Sequence, residues 1–233
     1  CHSVEEAVAR TMRVIKGAYS LLVMSPRKLI AARDPHGFRP LCMGKYNDSV
    51  VFASESAALD ACGAKFIRDI EPGEIVVVDN KEIRSIKPDF GEEKKQSLCV
   101  FEYIYFARLD SKIDNISVYE ARIRGGATLA KTYPVDADLV CGVPDSGLAS
   151  AKGYSEESGI PFGLAFHKNS YVGRTFIKPT QKERESSVKI KLSVLESVVK
   201  GKRIVLVDDS IVRGTTISNL ITMLRKAGAT EVH

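Results

Sequence analysis

Two different patterns of hydrophobic and polar positions divide the chain. In the first, short apolar and β-branched runs alternate with turn residues such as Ser25-Pro26, which is typical of antiparallel strands joined by hairpins. The predicted strands are residues 18–24, 28–32, 41–44, 50–53 and 74–79. Two helices accompany them, one behind the capping pair Ser3 and Glu6 and one over residues 54–62. Helices together with antiparallel strands indicate an α+β domain, which we assign to residues 1–86.

In the second pattern, which begins at Leu98, strands and helices alternate. The predicted strands are residues 100–107, 137–143, 161–166, 203–207 and 231–233. The helices between them cover residues 117–133, begin at Gly147, and run through Ile217 to a stop at Gly228. Such alternation predicts a parallel sheet with helices on both faces over residues 98–233. The polar stretch 87–97 is predicted to link the two domains.

The two ends of the chain indicate a piece of a longer protein. The chain begins at Cys1 without Met, and it ends at Glu231-Val232-His233, where a further parallel strand would start. Because a sheet needs complete strands to bury its faces, we expect the chain to be shortened at both ends.

Composition excludes several classes of protein. Hydrophobic residues make up 44% and charged residues 27%, which are values of globular proteins and not of disordered chains. No apolar run approaches the roughly 18 residues of a membrane span, so no membrane partner is expected. The five cysteines, at positions 1, 42, 62, 99 and 141, form no C-x-x-C motif. This sparse, odd set indicates neither a disulfide framework nor a complete metal site, and it favours the reducing cytoplasm.

Positive charge is concentrated in one stretch. The net charge is +5, and residues 168–203 contain ten Lys and Arg against three Glu. Since the rest of the chain is nearly neutral, this stretch indicates either a solvated polar loop or a contact with an anionic ligand. Nucleic acid is not expected as that anion, because no aromatic platform is interleaved and Trp is absent.

The most specific motif is RIVLVDDSIVRGTT, residues 203–216. Its apolar run has the length of a buried parallel strand and delivers Asp208 and Asp209 to the carboxyl end, where open α/β sheets bind ligands. The loop 210–216 leads directly into a helix, whose first N–H groups, with Ser and Thr hydroxyls, form an anion site. A solvated turn with helix caps is the alternative. Carboxylates beside a phosphate site favour a ribose 5-phosphate ligand, and the Walker A and G-x-G-x-x-G patterns are absent.

The segment VLVDDSIVRGTT resembles the phosphoribosyl-pyrophosphate (PRPP) motif of type I phosphoribosyltransferases. Further stretches narrow the resemblance to the family of glutamine PRPP amidotransferases, and they are GAYSLLVMSPRKLIAARDPHGFRPL, CVFEYIYFARLDS, GVPDSG and KNSYVGRTFI. The resemblance covers almost the whole chain. It implies a mixed α/β protein: the last part of an Ntn-hydrolase α+β glutaminase domain, followed by a type I phosphoribosyltransferase domain with a parallel sheet.

The resemblance also assigns roles to the residues of a PRPP site. Asp208 and Asp209 would contact the ribose hydroxyls and a Mg²⁺ ion, with Ser146 as the third group near the metal. The pyrophosphate would lie against Asp145, Ser146 and Gly147, in a loop that is also typical of a strand exit with an N-cap serine. The residues expected at the 5-phosphate are Ser210, Val212, Arg213, Gly214, Thr215 and Thr216.

By the same resemblance, the basic stretch is a flexible loop that closes over PRPP. Lys168, Tyr171 and Arg174 match its catalytic positions, whereas Ser170 stands where Arg is usual and removes one cation. Cations there would stabilise the departing pyrophosphate, and closure would exclude water from the reactive C1 atom. Ammonia would attack C1 and give 5-phosphoribosylamine.

The cysteines receive separate predictions. Cys99 lies where one subgroup of the family carries the first thiolate of a [4Fe–4S] cluster, whose other ligands would follow His233, and a buried structural cysteine is the alternative. Cys1 is not expected to be the glutaminase nucleophile, because the family motif begins Cys-Gly and leads into a strand, whereas CHSVEEAV leads into a helix. The remaining cysteines, Cys42, Cys62 and Cys141, are predicted to be buried.

We therefore expect an enzyme that converts PRPP, glutamine and water into 5-phosphoribosylamine, glutamate and pyrophosphate, the first committed step of purine synthesis. Its expected partners are glutamine or ammonia and inhibitory purine nucleotides, and the family forms homo-oligomers, commonly tetramers. The glutaminase nucleophile is expected to be absent from this chain. One alternative is a PRPP-binding regulator without catalysis, although no DNA-binding module is recognisable. The other is a phosphoribosyltransferase that acts on a nucleobase, against which the glutaminase-like half argues.

Overall fold

The computed structural model of the protein describes residues 3–80, 82–91, 95–169, 192–212 and 214–233. The chain folds into two compact units, residues 1–118 and 119–233. The predicted site residues Tyr171, Arg174 and Arg213 lie outside the described residues, as do Cys1 and Ser170. Among the helices described, none combines the length and the apolar character that crossing a membrane requires.

The first unit is built mainly from antiparallel strands. Its helices are α1 (Val4–Val14) and α2 (Ser56–Ala61). Its strands are β1 (Ser20–Ser25), β2 (Lys28–Arg33), β3 (Cys42–Tyr46), β4 (Ser49–Ala53), β5 (Lys65–Asp69), β6 (Ile75–Asp79), β7 (Ile83–Ile86), β8 (Lys112–Ile113) and β9 (Ile116–Ser117). They form an antiparallel sheet in the order β1-β2-β6-β7, a second in the order β4-β3-β5, and the hairpin β8-β9.

Helix α1 forms where the sequence predicts it and covers one face of the larger sheet. The Ser3 hydroxyl accepts the N–H of Glu6 at 3.1 Å, which caps the first turn. Val8 and Met12 then pack against Ile30, Ala32 and other alternate residues of β2 and β6. The intervening residues of the same two strands pack against the second sheet, because successive strand side chains point to opposite faces.

Four strands of this unit were not predicted from the sequence: β5, β7 and the two short strands of the hairpin β8-β9. Strand β5 has the pattern KFIRD, in which the first three residues are exposed, and it pairs with β3 at the edge of its sheet. Strand β7 pairs with β6 at another edge. At a sheet edge only part of a strand is buried. Backbone hydrogen bonds to the neighbouring strand therefore hold β5 and β7 in place, although their sequences show no regular alternation of apolar and polar residues.

The predicted strand over residues 100–107 is wrong. The structure has one turn of π-helix there, Glu102–Phe106, closed by a bond from the Ala107 N–H to the Glu102 carbonyl oxygen at 3.0 Å. Alternation of aromatic and aliphatic residues favoured a strand. In the folded unit the buried carboxylate of Glu102 accepts a hydrogen bond from the Arg39 guanidinium at 2.6 Å, and this ion pair favours the helical turn over a strand.

The two units divide between Val118 and Tyr119. The backbone N–H groups of Ser97 and Cys99 donate to the carbonyl oxygens of His36 and Phe38, at 2.8 and 3.1 Å. These bonds attach the segment around Cys99 to the first unit. The domain bounds 1–86 and 98–233, with a linker at 87–97, stay predictions.

The second unit alternates helices and strands. Its helices are α3 (Val118–Thr132), α4 (Gly147–Ser158), α5 (Glu196–Val199) and α6 (Thr215–Lys226). Its strands are β10 (Leu139–Gly142), β11 (Phe166–Lys168), β12 (Leu192–Val194), β13 (Arg203–Val207) and β14 (Glu231–Val232). Strands β10, β13 and β14 form a parallel sheet in that order, and β11 pairs with β12 antiparallel.

Both faces of the parallel sheet are buried, as the strand–helix alternation predicts. On one face, Val140, Val205 and Val207 pack with Ala151 and Tyr154 of α4. On the other face, Cys141 and Ile204 pack with Leu220 and Leu224 of α6. The predicted strand at 161–166 forms only in part: Phe162 makes a single parallel bridge to Val140, and regular pairing starts at Phe166.

Candidate functional site

Two neighbouring parallel strands deliver the predicted site residues to one edge of the sheet. Strands β10 and β13 pair in register up to Gly142 and Val207, and the Val143 N–H donates to the Val207 carbonyl oxygen at 2.9 Å. Each strand is followed by a loop and then by a helix, α4 after β10 and α6 after β13. This arrangement places two loops and two helix N-termini at the carboxyl ends of the strands, where open α/β sheets bind ligands.

Asp209 joins the two loops. Its carboxylate accepts one hydrogen bond from the Ser146 hydroxyl, which belongs to the loop after β10, and another from the Ser210 hydroxyl at 2.8 Å. Ser146 and Asp209 are 63 residues apart in the sequence. The fold therefore brings together two residues that the sequence analysis assigned to the same site on separate motifs.

Asp208 lies beside Asp209 and is half-buried. Burial raises the pKa of the Asp208 carboxyl, and the neighbouring Asp209 carboxylate raises it further. The N–H of Asp209, which donates to Asp208 at 2.9 Å, acts in the opposite direction and lowers the pKa. A partly desolvated pair of adjacent carboxylates is stabilised in its charged form by a cation or by hydroxyl donors.

The loop after Asp209 exposes its functional groups. Ser210, Val212, Thr215 and Thr216 are exposed, and Gly214 lies at the start of α6 with φ of 70°. Residues with a Cβ rarely adopt this left-handed conformation, so glycine suits the position. The first N–H groups of α6 have no acceptor within the helix and carry the positive end of its dipole. The loop can therefore bind an anionic group.

The loop after β10 approaches β13 through a glycine. A Cβ at Gly147 would lie 2.5 Å from the Val207 carbonyl oxygen, closer than any real side chain. Only glycine lets the first turn of α4 come this close to the end of β13. This contact keeps Ser146 within hydrogen-bonding reach of Asp209.

Lys168 contacts the same edge of the sheet. It ends β11, and its ammonium group forms an ion pair with the Asp145 carboxylate. The side chains of Lys168 and Asp145 are 36% and 70% exposed, so this pair contributes little to stability, about 0–1 kcal/mol. Lys168 is thus a cation close to the loop that was predicted to bind pyrophosphate.

Sequence reasoning did not identify Arg122. This residue is only 7% exposed on α3, and burial lowers the pKa of its guanidinium while the nearby Asp209 carboxylate raises it. The sequence held one signal. Val118, Arg122, Gly126 and Ala130 recur at intervals of four and are all buried, so a charged residue stands within a core-facing stripe.

The donor set at this edge suits Mg²⁺. Within the described ranges, no group of three or more His, Cys, Asp and Glu side chains could hold a metal. Asp208, Asp209 and Ser146 nonetheless offer the hard oxygen ligands that Mg²⁺ prefers, and Mg²⁺ in proteins is commonly held by one or two carboxylates with substrate phosphates and waters. Two carboxylates without a third protein acid are therefore sufficient.

The described thiols do not make an iron–sulfur site on their own. Such a cluster is held by four thiolates, whereas no group of three metal-ligating side chains includes Cys99 in the part of the chain that the structure describes. Burial raises the pKa values of Cys42 and Cys141 to about 12. Cys62 is exposed, so its predicted burial is wrong.

Comparison with known proteins assigns both units to known domain families. Residues 1–61 match the glutamine amidotransferase domain, and residues 114–233 match the phosphoribosyl transferase domain. The amidophosphoribosyltransferase of Methanocaldococcus jannaschii is 52% identical over 98% of this chain and 51% of its own length. That of Bacillus subtilis is 48% identical over 99% of this chain and 48% of its own length.

Solved structures agree with this relationship. The B. subtilis glutamine PRPP amidotransferase, in complex with ADP and GMP, has a TM-score of 0.91 and 48% identity. The match covers 100% of this chain and 51% of that chain, so the chain spans about half the length of the relatives it matches. With both domains in the same order, and with about half of its residues identical over nearly its whole length, the chain belongs to the amidophosphoribosyltransferase family.

Proposed function

We propose that the chain carries the PRPP site of an enzyme that makes 5-phosphoribosylamine from PRPP, glutamine and water, with release of glutamate and pyrophosphate, at the first step of purine synthesis. One observation carries the proposal: Asp209 and Ser146 are hydrogen-bonded across the ends of two parallel strands that each lead into a helix. A sugar with a phosphate at one position and a pyrophosphate at another needs two anion sites on either side of hydroxyl-binding groups. This edge of the sheet offers that pattern.

Each part of PRPP is assigned to one part of the site. The 5-phosphate binds the loop 210–216 and the first N–H groups of α6, where the helix dipole favours an anion. The ribose hydroxyls donate to the carboxylates of Asp208 and Asp209. The pyrophosphate lies against Asp145, Ser146 and Gly147, at the N-terminus of α4.

Asp208, Asp209 and Ser146 would hold Mg²⁺, whose contribution is to offset the negative charge of the pyrophosphate. The protein residues do the remaining work. Lys168 exchanges its ion pair with Asp145 for one with the pyrophosphate and stabilises the negative charge that develops there. Tyr171 and Arg174, outside the described residues, are proposed to act with it.

The reaction depends on the positioning of the reactants more than on covalent catalysis. Ammonia attacks C1 of the ribose, the bond from C1 to the pyrophosphate oxygen breaks, and its electron pair leaves with pyrophosphate. The amine then loses one proton and becomes 5-phosphoribosylamine. Glutamine is the proposed source of ammonia, purine nucleotides are the proposed inhibitors, and a homo-oligomer is the proposed assembly. The assignment of Cys99 as one ligand of a [4Fe–4S] cluster stays a prediction.

Isothermal titration of the chain with PRPP in the presence of Mg²⁺ tests the proposal. We expect saturable binding that requires Mg²⁺ and that the double variant Asp208→Asn/Asp209→Asn loses. Asp48→Asn, an exposed carboxylate in the first unit, is the matched control and should bind as the wild type does.

Circular dichroism melts on the same samples separate loss of binding from loss of folding. A wild-type chain that is folded but does not bind PRPP would contradict the site assignment. Incubation with PRPP and ammonium then distinguishes an enzyme from a PRPP-binding regulator, because only the enzyme releases pyrophosphate.

A further inference from the structure

Gly142 ends β10 and lies against the first turn of α4. Along β10, Val140 packs with residues of α4 and Cys141 with residues of α6, so Gly142 belongs to the α4 face, because strand side chains alternate between faces. A Cβ at Gly142 would lie 2.5 Å from the Gly147 carbonyl oxygen and 2.8 Å from the Leu148 Cα atom. Both distances are shorter than 3.0 Å, below which Cβ atoms are essentially never found. The φ of Gly142 lies outside the left-handed region, so glycine serves here for space and not for conformation.

The same turn of α4 also contacts the neighbouring strand. Gly142 pairs with Val207, the last residue of β13. A Cβ at Gly147 would lie 2.5 Å from the Val207 carbonyl oxygen and 3.4 Å from the Cα atom of Asp208. The first turn of α4 therefore contacts the ends of two adjacent strands through backbone atoms. Such contacts have no flexible side chain that could move aside, so an added methyl group must displace the backbone itself.

Residues of the proposed PRPP site are adjacent to these contacts in the chain. Ser146 immediately precedes Gly147, and Asp209 lies two residues after Val207. The Ser146 hydroxyl makes no capping bond to α4 and donates to the Asp209 carboxylate. Relief of the contact at Gly142 needs a shift of about 0.5 Å, from 2.5 to 3.0 Å. The usual O–H···O distances span only about 2.5–3.0 Å, so a shift of this size is enough to break the bond between Ser146 and Asp209.

We propose that Gly142 is a positioning residue of the PRPP site: because it has no side chain, α4 lies directly on the ends of β10 and β13 and holds Ser146 at hydrogen-bonding distance from Asp209. The inference rests on the proposed function, because it concerns the same site. It requires that an added methyl group weaken PRPP binding through Ser146. A purely structural role would lower the stability of the unit without depending on the Ser146 hydroxyl.

A double-mutant cycle tests this connection. We expect Gly142→Ala and Ser146→Ala each to weaken PRPP binding by about tenfold in isothermal titration with Mg²⁺, since a hydrogen bond to a charged group commonly contributes this much. If both substitutions act through the same bond, the double variant should bind no more weakly than Ser146→Ala alone, whereas independent effects would multiply to about a hundredfold. Gly163→Ala is the matched control: a Cβ there would come closest to the flexible end of the Leu139 side chain, at the other end of β10, so this variant should bind as the wild type does.

Urea denaturation of the same variants measures their folding. The inference is overturned if a folded Gly142→Ala variant binds PRPP like the wild type, or if the two losses of affinity multiply in the double variant. Should Gly142→Ala not fold, Gly125→Ala is added to every variant, because a Cβ at Gly125 would meet nothing within 4 Å and alanine favours the helix. If Gly142→Ala is still unfolded in that background, the residue serves folding and the inference is likewise overturned. If the wild type and Gly163→Ala are both folded and neither binds PRPP, the proposed function fails instead.

Discussion

At the scale of single residues, breaking a buried ion pair costs more stability than breaking an exposed one. Arg33 is buried, with its side chain 1% exposed, and it donates to the carbonyl oxygens of Gly37, Arg39 and Ile70. Its guanidinium also makes a two-pronged pair with the Asp114 carboxylate, at 2.9 and 3.1 Å. Asp69 accepts the N–H groups of Asp114 and Asn115, so the turn between β8 and β9 is held from two sides.

Replacement of Asp114 by Asn tests the contribution of this pair. Asp114 has φ of 46°, a conformation that Asn tolerates, so Asp114→Asn removes charge without a new backbone strain. We expect a loss of about 3 kcal/mol in the free energy of unfolding, measured with urea, because the substitution removes the charged partner that is hydrogen-bonded to a buried guanidinium. Asp110→Asn breaks the exposed pair with Arg108 and should change stability by less than about 0.5 kcal/mol. Equal effects of the two variants would contradict the argument.

Glu5 gives the first unit a dependence on pH. The hydrogen bond from Lys28, at 2.7 Å, is the main cause that lowers the pKa of the Glu5 carboxyl from 4.5 to about 2. Because the folded pKa is the lower one, the stabilisation is fully present above pH 4.5 and is lost as the pH falls toward 2. Urea titrations at several pH values should therefore show a smaller loss of stability in Glu5→Gln than in the wild type across this window. Glu157→Gln, in an exposed pair with Lys131, is the control.

The residues of the candidate site differ in how well the sequence predicted them. Asp208 and Asp209 were predicted from a local pattern, a strand end followed by a helix start, whereas Ser146 was predicted from the resemblance to the family. Arg122 was missed, although its spacing of four residues from Val118, Gly126 and Ala130 placed it in a stripe to which the exposed Arg124 does not belong. The packing of α3 on α4 buries that stripe and leaves Arg124 exposed.

At the scale of elements, close contact between backbones organises the second unit. Gly125 and Gly126 are neighbours on α3, but a Cβ at Gly125 would meet nothing within 4 Å, whereas one at Gly126 would collide with Ser150. The two positions form a matched pair for substitution by Ala.

We expect Gly126→Ala to lower the free energy of unfolding by about 3 kcal/mol, because backbone atoms must move apart. Gly125→Ala should raise it by about 0.5–1 kcal/mol, because alanine favours the helix. Thermal melts of both variants check the prediction, and a shift of the same sign in both would contradict it. Gly126→Ala should also weaken PRPP binding, since α4 follows Ser146.

Element prediction succeeded where one periodicity covered a whole segment. Residues 203–207 were predicted and observed as the same strand, because both faces of that strand are buried. Prediction failed at 100–107, where the pair of Glu102 with Arg39 selects a π-helical turn over a strand. It also missed β5 and β7, whose edge positions leave them without a clear apolar pattern.

At the scale of the whole molecule, charge is distributed unevenly. The chain carries +5, and the stretch 168–203 alone has ten Lys and Arg against three Glu. A polyanionic ligand gains from such a field, and added salt screens it with a Debye length of about 10 Å at 0.1 M.

PRPP affinity should therefore decrease as the salt concentration rises. Lys168→Gln should reduce both the affinity and the salt dependence, because this cation is proposed to pair with pyrophosphate. Lys131→Gln, whose exposed partner Glu157 lies on α4, should leave both unchanged. Titrations at three salt concentrations check the prediction, and an affinity that is insensitive to salt would contradict it.

The sequence by itself determined the alternation of strands and helices, the motifs at two strand ends and the family, because these depend on local periodicity and on short spacings along the chain. The tertiary structure alone decided that Ser146 bonds to Asp209, that Arg122 is buried, and that a π-helical turn begins at Glu102. Each of these depends on contacts between segments far apart in the chain. Burial and electrostatic compensation at such contacts are properties of the packed molecule, which no single segment encodes.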